Sequence, residues 1–212
     1  MREIAGMKQN NTEAEEMKII GITGGVGAGK STVLEYLEQK HNAYVIQADK
    51  AGHLVMEPDG LCYEQVIALF GRQIIKCDKT IDRRQVSDIV FGNELMRQSL
   101  DDIIHPAVRR YILEEIRKQK QAGCGLLVVE AALFLEEHYE EFCDRVWYIH
   151  TDTEIRIQRL MKNRGYSREK AESIIARQAS EKFFREHTDY VITNNGDLKL
   201  TWKQIEEGIS LL

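Results

Sequence analysis

The residues best suited to chemistry lie close to the N-terminus. Gly24, Gly29, Lys30 and Ser31 satisfy the spacing GxxxxGK[ST] inside GGVGAGKST, residues 24–32. Such a loop curls so that successive backbone N–H groups and the start of a helix face a phosphate. Lys30 then reaches between the β- and γ-phosphates, and the Ser31 hydroxyl ligates Mg²⁺. Gly25, Gly27, Ala28 and Gly29 complete the cradle, and Thr32 falls beside the α-phosphate. The competing reading is a glycine-rich turn followed by a chance Lys-Ser pair. The flanks favour the phosphate loop: a β-branched run precedes it, and Val33, Leu34 and Leu37 recur after it at helical spacing. The implied ligand is a nucleoside triphosphate with Mg²⁺.

A second candidate is Asp49, just past the apolar run Tyr44–Ile46. A carboxylate there can take the proton of an attacking hydroxyl or hold Mg²⁺ through water. It can equally cap the helix suggested by Ala-Gly-His-Leu-Val, and the two readings stand even. Glu130 closes another apolar run, where a carboxylate can hold a water on Mg²⁺. Further on, Arg156, Arg159, Lys162, Arg164, Arg168, Lys170, Arg177, Lys182 and Arg185 form a basic stretch, but Glu154, Glu169, Glu172 and Glu181 are interleaved, so most of these charges are solvated surface. One or two arginines reaching a transferring phosphate would suffice, since such a contact is worth roughly 10³-fold or more. His105, before Pro106, reads by itself as a buried histidine at a helix start. His53, His138, His150 and His187 lack partners spaced for metal or triad chemistry.

These residues need a scaffold. Short apolar runs at Ile19–Thr23, Tyr44–Ile46, Leu126–Glu130, Val146–Ile149 and Tyr190–Ile192 alternate with helical patterns. Continuous rather than alternating apolarity points to parallel strands covered on both faces. The expected fold is α/β: a three-layer P-loop NTPase core around a five-stranded parallel sheet, with a helical substrate-binding insertion and a helical lid. The core comprises residues 17–49, 126–150 and 189–212, the insertion about 50–125 and the lid about 151–188, all in one domain over 17–212. Within the insertion a helix is expected over His105–Gln119 with Pro106 in its first turn. Gly165 should break the lid into two helices, with Ser167 capping the second. Trp147 reads as core and Trp202 as the anchor of the final helix. Residues 1–16 are polar and aperiodic, which suggests a disordered leader.

Composition narrows the classes. The 212 residues are 43% hydrophobic with net charge −5, enough apolar surface for a core and the wrong sign for a dedicated nucleic-acid binder. Cys62, Cys77, Cys124 and Cys143 are scattered without a CxxC pair, as expected of reduced thiols in the cytoplasm. There is no apolar run long enough to span a membrane and no signal-peptide layout. A GTPase would be expected to carry a base-reading NKxD and a DxxG switch; Asn194-Asn195-Gly196-Asp197 lacks the lysine and follows the last strand, so it is discounted. The size also disfavours a large mechanical ATPase. What remains is a small-molecule kinase, acting as a monomer or weak homo-oligomer.

Taken in order, GITGGVGAGKST, VIQADKAG at 45–52, IDRRQVSDIVF at 81–91, IIHPAVRR at 103–110, VVEAALFLE at 128–136 and ITNNG at 192–196 resemble the dephospho-CoA kinase family over nearly all of residues 18–200. The resemblance implies transfer of phosphate from ATP to the ribose 3′-hydroxyl of dephospho-CoA, the last step of coenzyme A synthesis. It implies Asp49 as catalytic base and Arg83, His105 and Arg109 as shapers of the acceptor site. It further implies that Arg164 closes on the phosphates and that Asn194 and Gly196 border the adenine of ATP. Three positions depart from the family's usual pattern: Gln47 in place of a first Asp, Ala132 in place of Pro, and Asn163 followed by Arg164 where an Arg is expected first, so that the lid contact falls to Arg164 or Arg159. The alternatives are a nucleoside or nucleotide monophosphate kinase and, in another class, a non-catalytic ATP-binding switch.

Overall fold

The computed structural model describes residues 16–212, so the expected leader lies outside the described residues apart from Glu16. In chain order the elements are β1 (Lys18–Thr23), α1 (Lys30–His41), β2 (Tyr44–Gln47), α2 (Ala48–Leu54), α3 (Tyr63–Phe70), α4 (Arg83–Val90), α5 (Glu94–Gln121), β3 (Leu126–Glu130), β4 (Arg145–His150), α6 (Thr153–Arg164), α7 (Arg168–Ala176), α8 (Glu181–Glu186), β5 (Tyr190–Thr193) and α9 (Leu198–Ile209). The strands form a five-stranded sheet in the order β2-β3-β1-β4-β5, parallel at every pairing.

The apolar runs explain both the parallel pairing and the layering. All five residues of β3 are buried. Leu127 and Val129 enter a core shared with residues of α2 to α5, whereas Leu126 and Val128 enter a second core with Val33, Leu34 and Leu37 of α1 and Ile205 of α9. Each face of the sheet is therefore covered, and burying one such aliphatic side chain contributes about 1.5–3 kcal/mol. Trp147 lies in the second core, 1% exposed. Trp202 stacks on Tyr36 with ring centroids 4.3 Å apart, docking α9 on α1 as expected. Among the described residues no helix is long and apolar enough to cross a membrane.

Parallel pairing also brings the carboxyl ends of the strands to one edge. Ile22 and Gln47 are both in register with Glu130, and His150 with Thr193. In an open α/β sheet this is the edge that faces a ligand, and the loops leaving it carry the candidate residues.

Turn and cap chemistry set several boundaries. Gly165, at φ 63°, ends α6, and the Ser167 side chain accepts from the Lys170 N–H to open α7, as anticipated. The helix expected to begin at His105 instead begins at Glu94, where Asn93 caps it by accepting from Met96 N–H. Pro106 is therefore interior to α5, not in its first turn. A proline there forgoes the bond to the carbonyl four residues back and costs about 3 kcal/mol. Tertiary packing offsets that: Ala107, Val108 and Ile112, just beyond the proline, are buried against the sheet and neighbouring helices.

Candidate active site

The phosphate loop follows directly from β1. Gly24 sits at φ 146°, and a Cβ there would lie 2.6 Å from the Ile149 carbonyl oxygen, so the loop can leave the sheet this closely only with glycine at that position. At the other end Gly29, at φ 85°, opens α1, whose first N–H groups have no partner within the helix. Lys30 folds back along the loop: its Nζ donates to the Gly24 carbonyl at 2.9 Å and lies 3.4 Å from Glu130 Oε1. Glu130 also accepts from Gln47 Nε2 at 3.4 Å, so β2, β3 and the loop meet at one buried carboxylate.

The loop is pinned from the far half of the chain. The Ala28 carbonyl accepts from Asn194 Nδ2 at 2.9 Å, from Thr151 Oγ1 at 3.0 Å and from the Arg159 guanidinium at 3.2 Å. Arg159 also donates to the Asn194 carbonyl at 2.8 Å, and Arg156 Nε to the Val26 carbonyl at 2.9 Å. Burial holds the pKa of both arginines below the ordinary arginine value. An arginine remains charged under such a shift, so these carbonyls receive charge-assisted hydrogen bonds.

A cavity of about 580 Å³ opens along the loop, lined by Gly25, Gly27, Gly29, Lys30, Ser31 and Thr32 and, across from them, by Gln47, Asp49, Glu130, Asn163, Arg164 and Asn194. Ala28 is buried behind it, contributing its carbonyl to the pins. Asn194 reaches the cavity, but its side chain is occupied by the Ala28 carbonyl and by the Thr201 hydroxyl, which donates to Oδ1 at 3.3 Å. Gly196 lies beyond the lining, with open space around it. Arg164, the last residue of α6, lines the cavity and is exposed, and no hydrogen bond or ion pair engages its guanidinium among the described residues. The oxygens of Ser31, Gln47, Asp49 and Glu130 share this cavity with Lys30. That is a hard-donor set suited to Mg²⁺, which keeps several waters and takes one or two carboxylates together with substrate phosphates.

Asp49 lies in the first turn of α2, one residue inside the helix. Gln47 is the N-cap and makes no side-chain capping bond, so the capping alternative for Asp49 falls away because the helix starts earlier than that reading required. Asp49 also borders a second, smaller cavity of about 150 Å³, walled by Gly52, Ile104, Val108 and Leu133, with His105 and Tyr139 in its lining. His105 Nδ1 is 2.7 Å from Glu137 Oε1. Burial pushes the Tyr139 phenol up to about 12, reinforced by the Glu137 and Asp49 carboxylates and opposed by Arg109, so it stays a neutral hydroxyl. Asp49 and His105 thus share this cavity. Arg109 is directed instead to the 137–141 loop, donating to the Glu137 carbonyl at 3.0 Å and pairing with Glu141. Arg83 pairs with Glu57 at 2.8 Å on a half-exposed surface. Neither lines either cavity.

The pinning residues Thr151, Arg156 and Gln178 and the cavity tyrosine Tyr139 escaped sequence reading. Arg156 was visible only as part of a basic stretch. Thr151, Gln178 and Tyr139 act through partners far along the chain and carry no local pattern.

A covered parallel sheet, a glycine loop opening a helix, and a lysine, serine and carboxylates around one cavity define a P-loop phosphotransferase. A family model described as dephospho-CoA kinase matches residues 18–199. The chain is 33% identical to the dephospho-CoA kinase of Shouchella clausii over 191 residues, 90% of this chain and 96% of that one. It is 36% identical to that of Geobacillus kaustophilus over 188 residues, 88% and 92% of the two chains. The solved structure of dephospho-CoA kinase from Campylobacter jejuni superposes with a TM-score of 0.68 at 26% identity, covering 91% of this chain and 95% of that chain. The chain belongs to the dephospho-CoA kinase family.

Proposed function

We propose that this protein transfers the γ-phosphoryl group of ATP to the ribose 3′-hydroxyl of dephospho-CoA, giving coenzyme A and ADP, with Asp49 as the base. The observation that carries the reading is the position of Asp49 on the border between the phosphate-loop cavity and the smaller apolar cavity, so that one carboxylate faces both ligands. The N–H groups opening α1 hold the β-phosphate, and Lys30 neutralises charge across β and γ. Ser31, with Glu130 and Asp49, would hold Mg²⁺, which would offset the charge of the triphosphate oxygens.

The acceptor's nucleoside enters the cavity walled by Ile104, Val108 and Leu133, where the His105–Glu137 pair and the neutral Tyr139 hydroxyl offer polar contacts at its rim. Asp49 takes the hydroxyl proton as the oxygen attacks phosphorus in line. Arg164 supplies charge from the lid. Arg159 and Arg164 both line the cavity, but the guanidinium groups of Arg156 and Arg159 are already held by loop carbonyls, whereas that of Arg164 is uncommitted among the described residues. Arg83 and Arg109 meet the parts of the acceptor that extend beyond the cavity. Asn194 and Gly196 border the adenine of ATP, Asn194 by shape because its side-chain polar atoms are already paired. The protein works in the cytoplasm as a monomer or weak homo-oligomer.

The test is ADP formation from ATP-Mg²⁺ with dephospho-CoA, AMP, GMP or adenosine as acceptor. Stimulation by dephospho-CoA alone is the expected result. Stimulation by AMP or GMP instead would replace the acceptor assignment with a nucleotide kinase, and no stimulation by any acceptor would leave a nucleotide-binding switch.

A further inference from the structure

We infer that Gln178 is a positioning residue for phosphoryl transfer: its carboxamide fixes the Val26 peptide at the γ-phosphate end of the loop. Gln178 stands in the turn between α7 and α8, 152 positions from Val26. Its Oε1 accepts from Val26 N–H at 3.0 Å and from the Arg156 guanidinium at 2.5 Å, while Arg156 Nε donates to the Val26 carbonyl at 2.9 Å. Both partners of that side-chain atom are donors, so the atom between them has to be the oxygen. Val26 is thereby held on both sides, N–H by Gln178 and carbonyl by Arg156, and the two clamping side chains hold each other.

Within the loop a single backbone bond spans this point, from Ala28 N–H to the Gly25 carbonyl at 3.1 Å, and it leaves the Val26 N–H and carbonyl to the clamp. Val26 lies between Gly25 and Gly27, the latter at φ 79°, and peptides flanked by glycine rotate at little steric cost. Rotation of the Gly25–Val26 peptide would break the Gln178 bond at its N–H and the Ala28 bond at its carbonyl, and so change which backbone groups the loop presents. The guanidinium of Arg156 lies so close over Gly25 that a Cβ there would collide with it, so the glycine is needed to admit the clamp. The end of the loop concerned is set by Lys30, whose Nζ rests on the Gly24 carbonyl and which reaches β and γ in loops of this kind. The arm from Gly24 to Val26 therefore serves the γ-phosphate, while the N-terminus of α1 serves the β-phosphate. Gln178 itself lines the cavity.

This inference rests on the kinase reading above, and binding measurements separate the two. In the full-length chain, Gln178→Leu keeps the side chain's bulk and removes the acceptor. Gln178→Asn withdraws the same carboxamide by one methylene, and Gln178→Glu keeps an acceptor at full reach. For Leu and Asn, the affinity for a non-hydrolysable ATP analogue with Mg²⁺ should fall about tenfold while that for ADP stays within about twofold, and kcat should fall about tenfold with the KM for dephospho-CoA unchanged. Gln178→Glu should recover at least about a third of wild-type kcat and of the analogue affinity. Equal losses for ADP and the analogue, no loss in Leu or Asn, or a Glu variant no better than Leu would each overturn the assignment. A wild-type protein that binds both nucleotides but leaves dephospho-CoA unphosphorylated would instead overturn the acceptor assignment, and the binding comparison would still judge Gln178.

Discussion

The two cavities that meet at Asp49 are built by opposite means. Around the phosphate loop, side chains from α6, from the residues after β4 and β5 and from the turn before α8 converge on backbone atoms of Val26 and Ala28, mostly part-buried or buried and more than 100 positions away in sequence. Around the smaller cavity aliphatic walls meet a few polar side chains, and the charged groups on that side of the molecule pair near solvent: Arg83 with Glu57, Arg109 with Glu141, His105 with Glu137. Exposed pairs of this kind contribute about 0–1 kcal/mol and rearrange cheaply, whereas breaking a buried charge-assisted bond costs about 1.5–3 kcal/mol. One side is set before the ligand arrives. The other has groups free to re-pair around it, and this is the side on which substrates of kinases differ.

If that contrast is right, substitutions should sort by side, and the largest loss should come from the loop. Lys30→Met should lower kcat/KM for ATP by about 10³-fold, because a preorganised charge is removed where charge develops; a coupled ADP assay reads it, and a loss under tenfold would break the comparison. Asp49→Asn should cut kcat by about 10²-fold or more while leaving nucleotide affinity within about twofold, as removal of a base does. A matching fall in ATP affinity would move Asp49 to the nucleotide side.

The arginines sharpen the contrast within one helix. Arg164→Ala should reduce kcat about 10²-fold, a modest value for an arginine at a transferring phosphate, with an unchanged melting temperature. Arg159→Ala should lower the melting temperature by several degrees, since it strips charged donors from the Ala28 and Asn194 carbonyls. If Arg159→Ala melts normally and Arg164→Ala does not, their roles are exchanged.

Legibility followed the same division. The strands could be read to within a residue because each is a continuous apolar run ending at turn residues, and Gly24 to Thr32 could be read because phosphate binding by backbone imposes a spacing. Asp49 could be placed at the sheet edge, but whether it capped α2 depended on one residue of helix start. The beginning of α5 was missed because Pro106 imitates a first-turn proline, and only packing against the α2 to α4 layer carries the helix through it. The pins were unreadable for a simpler reason. A threonine or glutamine that donates to or accepts from a distant backbone atom has no spacing rule, and Arg156, Arg159 and Arg164 are chemically identical until the fold gives each a partner or none.

The smallest expected effect lies away from both cavities, on the α1–α9 contact. Glu206 accepts from the Tyr36 hydroxyl at 2.8 Å and pairs with His41 at 2.9 Å, and these bonds hold its pKa below the ordinary carboxylate value. A depressed carboxylate stabilises the folded state above its unfolded pKa of about 4.3 and loses that contribution as pH falls through the folded value. The difference in melting temperature between wild type and Glu206→Gln should therefore be small and flat from pH 5 to 6, narrowing on acidification below that range. A difference that widens at low pH would contradict the sign. Kinase activity at neutral pH should not change.

The strand order has a consequence for how the molecule comes into being. β3 lies between β1 and β2, so the first two strands of the described residues are not neighbours in the native sheet and stay unjoined until β3 is made. The helices connecting β2 to β3 must be synthesised before the central strand has a partner, and the pins on Ala28 come from residues 151, 159 and 194. A nascent chain carrying the whole GGVGAGKST motif therefore lacks the native cradle until β5 and Asn194 have emerged. Nucleotide binding by the native cradle waits for Asn194, more than 160 positions after the motif itself has been made.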